Sequence, residues 1–592
     1  MLTSFLHRTC IVIGLLCANA ALAIELQVKI NGVNSALTKS IKNDLNLQQA
    51  TTESKLTKDR IRNLYQLAQD QIIATLQAKG YYDSRVDQRL EQINGATPDQ
   101  DKWIATFNIT LGQPTKIQSV SIDVVGLNKD VPRFTKLYRT PKLIPGQILT
   151  HEDYEDTKDL LLANFHSIGY LQSEFEQSVI EVNRQEHTAD IKFTIKPGPQ
   201  YVFGKINFID ADYPDDFLLR FAPFKPGDPY ELQKLIDFQN NLESADLFSK
   251  VRFDPLTDLN NPSNVTVPIN VRLTMKPMNR YTGSVGYGTD TGARGSLSWL
   301  HRRRSTAGHK IFTSINASQK ISTAKANYII PGEHPATDKY VIGGLGQIEK
   351  IEELFSRKAE IYGSKMIKRG RLETMYGLWY FTETFRIVYA EPTLNRKFLL
   401  PTVKWIWINS KETDDFEFGT RFDFKVRAGA QALLSDSSVA QMEFNGKQIF
   451  PITQRMRLLL RGTAGAVASK DFYTLPPTLR FFAGGEDSVR GYAYNSLGPL
   501  LVPFDPDSNI GGRYLLIMSG ELEHKIYHDL AGVVFFDSGN AALTTKIPLA
   551  FGTGVGIRYK TPVGNFRFDV AKPLNIIENK HWRIHMNFGT DL

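Results

Sequence analysis

The residue with the most chemical reach in this chain is Arg490, set in Gly484-Gly485-Glu486-Asp487-Ser488-Val489-Arg490-Gly491-Tyr492. A guanidinium carries five N–H donors in a rigid plane and grips a carboxylate with two parallel bonds. Its glycine neighbours 484, 485 and 491 allow a tight fold. Acids able to receive it follow in short segments: Glu521-Leu522-Glu523, Phe535-Phe536-Asp537-Ser538-Gly539 and Arg567-Phe568-Asp569. Charged and apolar residues alternate there, the period of strands with one polar and one oily face. Asp537, Glu521 and Glu523 fall on the polar face; Val534, Phe536, Leu522 and His524 fall on the other. Arg558, with Gly554 and Gly556 leaving room beside it, and the Arg567/Asp569 pair add further charges. This is the chemistry of a buried ion-pair network rather than of bond making.

Other chemistries lack their residues. The only cysteines, Cys10 and Cys17, lie in a segment that reads as a secretory signal peptide over 1–23. Arg8 supplies its positive end, Ile11 to Cys17 its apolar stretch, and Ala21-Leu22-Ala23 a cleavage site before Ile24. The mature chain then has no thiol for disulfides, zinc or nucleophilic attack. His524 and His528 on one strand stand ~13 Å apart, too far to share a metal. In the calcium-like stretch from Asp505, Ile510 and Leu516 occupy positions that need glycine and a bidentate acid. Hydrolase, metalloprotease and phosphate-loop motifs are missing. The expectation is no enzyme, no cofactor and no metal. A formal net charge of +8 comes with no nucleic-acid motif; it is either scattered surface lysines or a fit to anionic lipid headgroups. His301-Arg302-Arg303-Arg304 is either an ordinary solvated run or a headgroup contact.

Two halves position these residues. Up to about Lys276, helical and strand patterns alternate, and the pattern repeats. Lys79-Gly80-Tyr81-Tyr82-Asp83-Ser84 is echoed by Ile168-Gly169-Tyr170-Leu171-Gln172-Ser173, and more loosely by Ala245-Asp246-Leu247-Phe248-Ser249. Each copy follows an amphipathic helix and precedes an apolar strand: Trp103 to Leu111, Ala189 to Ile195, Val265 to Met275. Three small tandem domains are expected. After Pro277 the chain becomes a series of strands, and Arg280 to Asp591 accommodates 16 of them. Stretches such as Trp582 to Phe588 alternate Trp582, Ile584, Met586 and Phe588 toward lipid with Arg583, His585 and Asn587 toward a lumen. The first strand, Tyr281 to Thr289, holds Gly283, Ser284, Gly286 and Gly288, and glycine weakens strands. These glycines either loosen an edge or make room for lumen side chains. Lys470 to Gly512 is the longest connection, the sixth outer loop, and long loops are commonly functional.

The Arg490 loop, with the three charged strand segments following it in order, resembles the BamA/TamA superfamily of outer-membrane assembly barrels that carry periplasmic POTRA domains. Three such domains with a 16-stranded barrel resemble its TamA branch. The resemblance implies α+β POTRA domains at 24–112, 113–199 and 200–276, followed by an all-β 16-stranded transmembrane β-barrel at 277–592 with the inserted loop at 470–512. It implies that the loop descends into the lumen as a latch of Gly485, Val489, Arg490, Gly491 and Tyr492. Arg490 would bond Asp537, with Glu523 ahead of Glu521 as second acceptor. The nearest match to the family's Ser-Leu-Glu pattern is Glu521-Leu522-Glu523, where Glu521 replaces the small residue. Arg558, Arg567 and Asp569 would complete the network, and the latch is either mechanistic or a structural brace. A lateral seam would join Gly283, Ser284, Gly286 and Gly288 to Asn587, Phe588 and Gly589. POTRA sheets would either accept strands at their edges or act as spacers. The implied function is assembly of outer-membrane clients such as autotransporters, without nucleotide and with lateral opening of the seam. Implied partners are those clients, outer-membrane lipids and an inner-membrane-anchored TamB-like protein, with no nucleic acid. The alternative is a two-partner-secretion transporter passing a protein through the lumen.

Overall fold

A computed structural model describes residues 24–53, 56–94, 101–126, 138, 140–256, 265–351, 354–387, 392–412, 417–502, 505, 508–561, 564–575 and 581–589. The signal peptide read at 1–23 lies outside the described residues, as does Thr590 at the end of the last expected strand. The chain divides into two compact units: residues 1–205, 226–233 and 256–268, and residues 206–225, 234–255 and 269–592.

The first small domain places β1 (Glu25–Asn31) parallel to the central β3 (Lys102–Thr110), with β2 (Arg85–Ile93) antiparallel on the other side. Its helices are α1 (Ser35–Asp44), α2 (Asn46–Gln49) and α3 (Lys58–Ala78). The Thr57 side chain caps α3 by accepting from the Arg60 N–H, which satisfies one of the helix's orphan donors. Ile61, Leu64, Ala68, Ile72 and Leu76 recur every three or four residues and are buried. They meet the alternate residues Trp103, Ala105, Phe107 and Ile109 of β3.

The second domain repeats the plan. β4 (Lys116–Val124) runs parallel to the central β6 (Thr188–Lys196), with β5 (Glu174–Asn183) antiparallel beside it. Helix α4 (His151–Ser167), capped by Thr150, presents Tyr154, Leu161 and Phe165 to Ala189, Ile191, Phe193 and Ile195. In the third sheet, the order is β7 (Val202–Ile209), β9 (Thr266–Met275), β8 (Phe248–Pro255), with helices α5 (Asp215–Leu219) and α6 (Leu232–Ser244).

The repeat has a backbone cause. Gly80 and Gly169 end their helices at φ +90° and +94°, the left-handed region. A Cβ on Gly80 would lie 2.4 Å from the Leu149 carbonyl oxygen, and one on Gly169 2.8 Å from that of Tyr230. In the looser third copy Asp246 takes the same conformation, at φ +53°. Its carboxylate accepts from Lys276 at 2.6 Å and from Arg302 at 3.1 Å. Arg302 also donates to the Pro277 carbonyl at 2.9 Å, and Arg303 pairs with Asp212. Neither reading of the 301–304 charge run survives for Arg302. Arg302 is only 4% exposed, so it is an internal anchor rather than a solvated or headgroup-facing charge.

The strands from β10 (Asn279–Gly288) to β25 (Arg583–Gly589) close into a 16-stranded antiparallel barrel in sequential order. Outward residues such as Leu297, Ile315, Ile361, Val534, Phe536, Val555 and Ile557 are exposed and apolar, forming the lipid-facing band. The loop between β20 (Met456–Ser469) and β21 (Tyr514–Tyr527) folds inward. Its Phe472, Leu475, Leu479, Val489 and Tyr492 join Phe381, Phe398, Leu400, Leu515 and Ile517 of the wall in one buried cluster. The loop and the barrel wall therefore build this apolar core together.

Candidate functional site

Arg490 is 1% exposed at the tip of the inserted loop, facing β21, β22 (Leu530–Ala542), β23 (Ala550–Thr561) and β24 (Gly564–Pro573). Its Nε donates to Asp537 Oδ2 at 2.7 Å and its Nη2 to Asp537 Oδ1 at 2.9 Å, a two-pronged grip. The Arg490 backbone N–H adds a third bond to Oδ2 at 3.1 Å. Nη1 donates to Glu521 at 2.8 Å and to Asp569 at 3.1 Å. The guanidinium lies over the Phe535 ring, 3.4 Å from its centroid, so an aromatic face covers the charge.

Arg558 completes the cluster, donating to Asp569 at 2.5 Å and to Glu521 at 3.2 Å. Two guanidiniums thus share three buried carboxylates, each with charge-assisted bonds, the condition under which ions persist inside a protein. Arg567 stands opposite Arg558 across the β23–β24 ladder and opposite Asn587 across the β24–β25 ladder.

The second acceptor differs from the expected one. Glu523 pairs with Arg457 of β20 at 2.9 Å, and Glu521 meets Arg490. The reason is register: Asp537 is opposite Ser519, whereas Glu521 and Glu523 are opposite Phe535 and Val533. Successive inward positions are ~6.8 Å apart along a strand, and the loop tip reaches the levels of Ser519 and Glu521. The serine–x–glutamate pattern that meets the arginine is accordingly Ser519-Gly520-Glu521, two residues before the one chosen from sequence. Ser519, absent from the sequence-derived set, donates to Asp537 at 2.6 Å. Its inward position in the same alternation was the available signal.

The remaining latch residues each have a contact. The Gly491 N–H donates to His585 Nε2 of β25 at 3.0 Å, and Gly491 sits at φ +96°. A Cβ there would lie 2.9 Å from Pro573 N, so the loop backbone lies close against the wall. Tyr492 donates to the Asn575 carbonyl at 2.5 Å, and Val489 is fully buried. Gly485 sits at φ +105°, where a Cβ would be 2.5 Å from Asp290 Oδ2. Sequence reasoning missed Arg480, which donates to the carbonyls of Leu475, Ile510 and Tyr473 and braces the base of the loop.

The barrel closes where β10 meets β25. Among the described residues only Tyr287↔Phe588 and Gly288↔Asn587 are in register, whereas every other neighbouring pair of barrel strands aligns seven or more. Gly286 lies against the last strand, its Cβ direction 2.4 Å from the Phe588 carbonyl oxygen. Gly283 and Ser284 are opposite Leu297 and Ser296 of β11 (Gly292–His301), and Gly589 is opposite Asn565. Ser284 therefore does not face Asn587, whose partner on β10 is Gly288, four residues further along.

Known proteins share these features. Residues 373–591 match the Omp85 superfamily domain, 27–111 the first POTRA domain of TamA, and 117–198 and 201–276 the POTRA surface antigen variable number repeat. The chain is 22% identical over 611 residues to outer membrane protein assembly factor BamA of Neisseria meningitidis serogroup B, spanning 90% of this chain and 74% of the relative. It is 21% identical over 578 residues to BamA of Nitratidesulfovibrio vulgaris, spanning 93% and 70%. The crystal structure of BamA from Haemophilus ducreyi lacking POTRA domains 1-3 has the same fold, with a TM-score of 0.64 at 16% identity, covering 80% of this chain and 99% of that one. With POTRA domains preceding a closed 16-stranded barrel, the chain is a POTRA-bearing protein of the Omp85 superfamily, placed in the outer membrane with its POTRA domains in the periplasm.

Proposed function

We propose that this protein assembles client β-barrel proteins, autotransporters among them, into the outer membrane by parting β10 from β25. The observation that carries the reading is the short seam, with two residues in register among the described residues where the other barrel strand pairs have at least seven. A separated β10 exposes a row of unpaired N–H and C=O groups, an edge on which an incoming strand can pair without side-chain specificity. The loop plugging the lumen argues for lateral release rather than passage of a chain through the barrel. In this reading the latch of Gly485, Val489, Arg490, Gly491 and Tyr492 on Asp537, Glu521 and Asp569 holds the loop in the lumen while the seam is closed. An inner-membrane-anchored TamB-like protein serves as periplasmic partner, a role suggested by the TamA-type first POTRA domain. The reading is tested in vesicles containing the purified protein, supplied with an unfolded outer-membrane client. Folded, heat-modifiable client should accumulate faster than in empty vesicles. Equal rates would refute assembly activity.

A further inference from the structure

Beyond its two backbone register pairs, the seam is bound by a side chain at its centre. From the first hairpin, Arg294 of β11 reaches across β10 and donates through Nη2 to Asn587 Oδ1 at 2.5 Å and to the Phe588 carbonyl at 3.5 Å. The glycines of β10 leave that lane open. A Cβ on Gly286 would lie 3.1 Å from Arg294 Nε, and one on Gly288 3.9 Å from its Nη1. From the lumen, the carboxyl of Glu486 of the inserted loop stands beside the Asn587 side chain. Glu486 is 8% exposed, and its backbone N–H donates to Asp290 in the β10–β11 turn at 2.6 Å. Five residues on, the Gly491 N–H holds His585 of β25. The loop thus grips both banks of the seam. An amide is suited to the central place because its oxygen accepts from a guanidinium while its N–H groups remain free to face a carboxyl.

We propose that Asn587 is the pin of the seam, a positioning residue that ties the first hairpin, the last strand and the lumen loop together, so that the seam opens as the loop lets go. The inference rests on the lateral-opening reading, and its test uses no client so that the two fail separately. Opening of the seam and release of the loop then share a coupling free energy.

The test uses the mature chain in lipid nanodiscs, with spin labels on Leu297→Cys and Ile557→Cys, two lipid-facing sites on either side of the seam. Asn587→Leu and Arg294→Ala should each move several-fold more molecules to longer distances. Asn587→Asp keeps an acceptor for Arg294 but loses the amide N–H that faces Glu486, so it should do the same. With Arg490→Ala the loop is already detached, and adding Asn587→Asp should change the distances no further. Heat-modifiability confirms a folded barrel in each variant. Wild-type distances in both Asn587→Leu and the near-isosteric Asn587→Asp would overturn the pin. Fully additive effects of Arg490→Ala and Asn587→Asp would overturn its coupling to the loop.

Discussion

Ser519 and Asp537 are cross-strand partners on β21 and β22, and the serine hydroxyl donates to Asp537 Oδ1 at 2.6 Å. This bond fixes the carboxylate whose two oxygens receive Arg490, and it sets the depth to which the loop tip descends. Glu521, one inward position further along, is the next acid within reach; Glu523 is one position too far.

Arg490→Ala should leave Asp537, Glu521 and Asp569 to share Arg558 alone. Removing one partner of a buried pair costs ~3–5 kcal/mol, concentrated on the loop because the strand ladders remain. The barrel should stay heat-modifiable while protease added from outside cuts the 470–512 loop much faster than in wild type. Arg490→Lys should resemble the alanine variant, since an ammonium is a single point and cannot grip Asp537 in two prongs while reaching Glu521. A loop as resistant in Arg490→Ala as in wild type would contradict the latch.

The two glutamates of β21 should separate in the same assay. Glu521→Gln removes a charge from the Arg490–Arg558 cluster and should sensitise the loop. Glu523→Gln weakens the bond to Arg457 and should leave loop cleavage close to wild type. Equal sensitisation by both would mean that the loop tip reaches deeper than Glu521.

The architecture was legible because period-2 alternation, the domain repeat and the length after Pro277 are properties of sequence. Inward positions such as Asp537 and His585 followed from the same alternation. Register was not legible: sliding by two residues keeps the same face inward, which is how Glu521-Leu522-Glu523 was chosen over Ser519-Gly520-Glu521. The register of the seam was open for a similar reason; among the described residues β25 is aligned with β10 at Tyr287 and Gly288. Arg302 read as a surface charge because its partner Asp246 stands where the two earlier repeats have glycine. Only the folded turn shows that an aspartate took the left-handed position for its carboxylate.

That turn should respond to acid. Burial alone would raise the Asp246 carboxyl, but bonds from Lys276 and Arg302 outweigh it and hold it below the usual carboxylate value. A group lowered in the folded state stabilises the fold above its unfolded value, ~3.9, and loses that contribution as pH falls through the folded one. Hydrogen-exchange protection of residues 272–278 should therefore drop below pH ~4. Asn at position 246 should show the lower protection at neutral pH as well. Asp246→Gly should behave like Asn despite relieving the backbone, because the carboxylate is what anchors Arg302. Undiminished protection in both variants would rule out this anchor.

Gly286→Ala probes how close the banks of the seam lie. The added methyl would meet the Phe588 carbonyl oxygen at 2.4 Å, so the strands must separate to admit it. Cysteines at Tyr287 and Phe588 should then form a disulfide several-fold more slowly than with glycine at 286. An unchanged rate would mean that β25 yields without parting from β10.

The most direct measurement is client assembly with that same cysteine pair, Tyr287→Cys with Phe588→Cys, which lie opposite each other in the register. The native cysteines are Cys10 and Cys17, so in a chain begun at Ile24 no other thiol competes. Bridging geometry requires Cα atoms within roughly 4.4–6.8 Å, a span compatible with directly opposed residues. Oxidation should stop the appearance of folded client in vesicles, and reduction should restore it. Full assembly with the seam demonstrably crosslinked would contradict lateral opening.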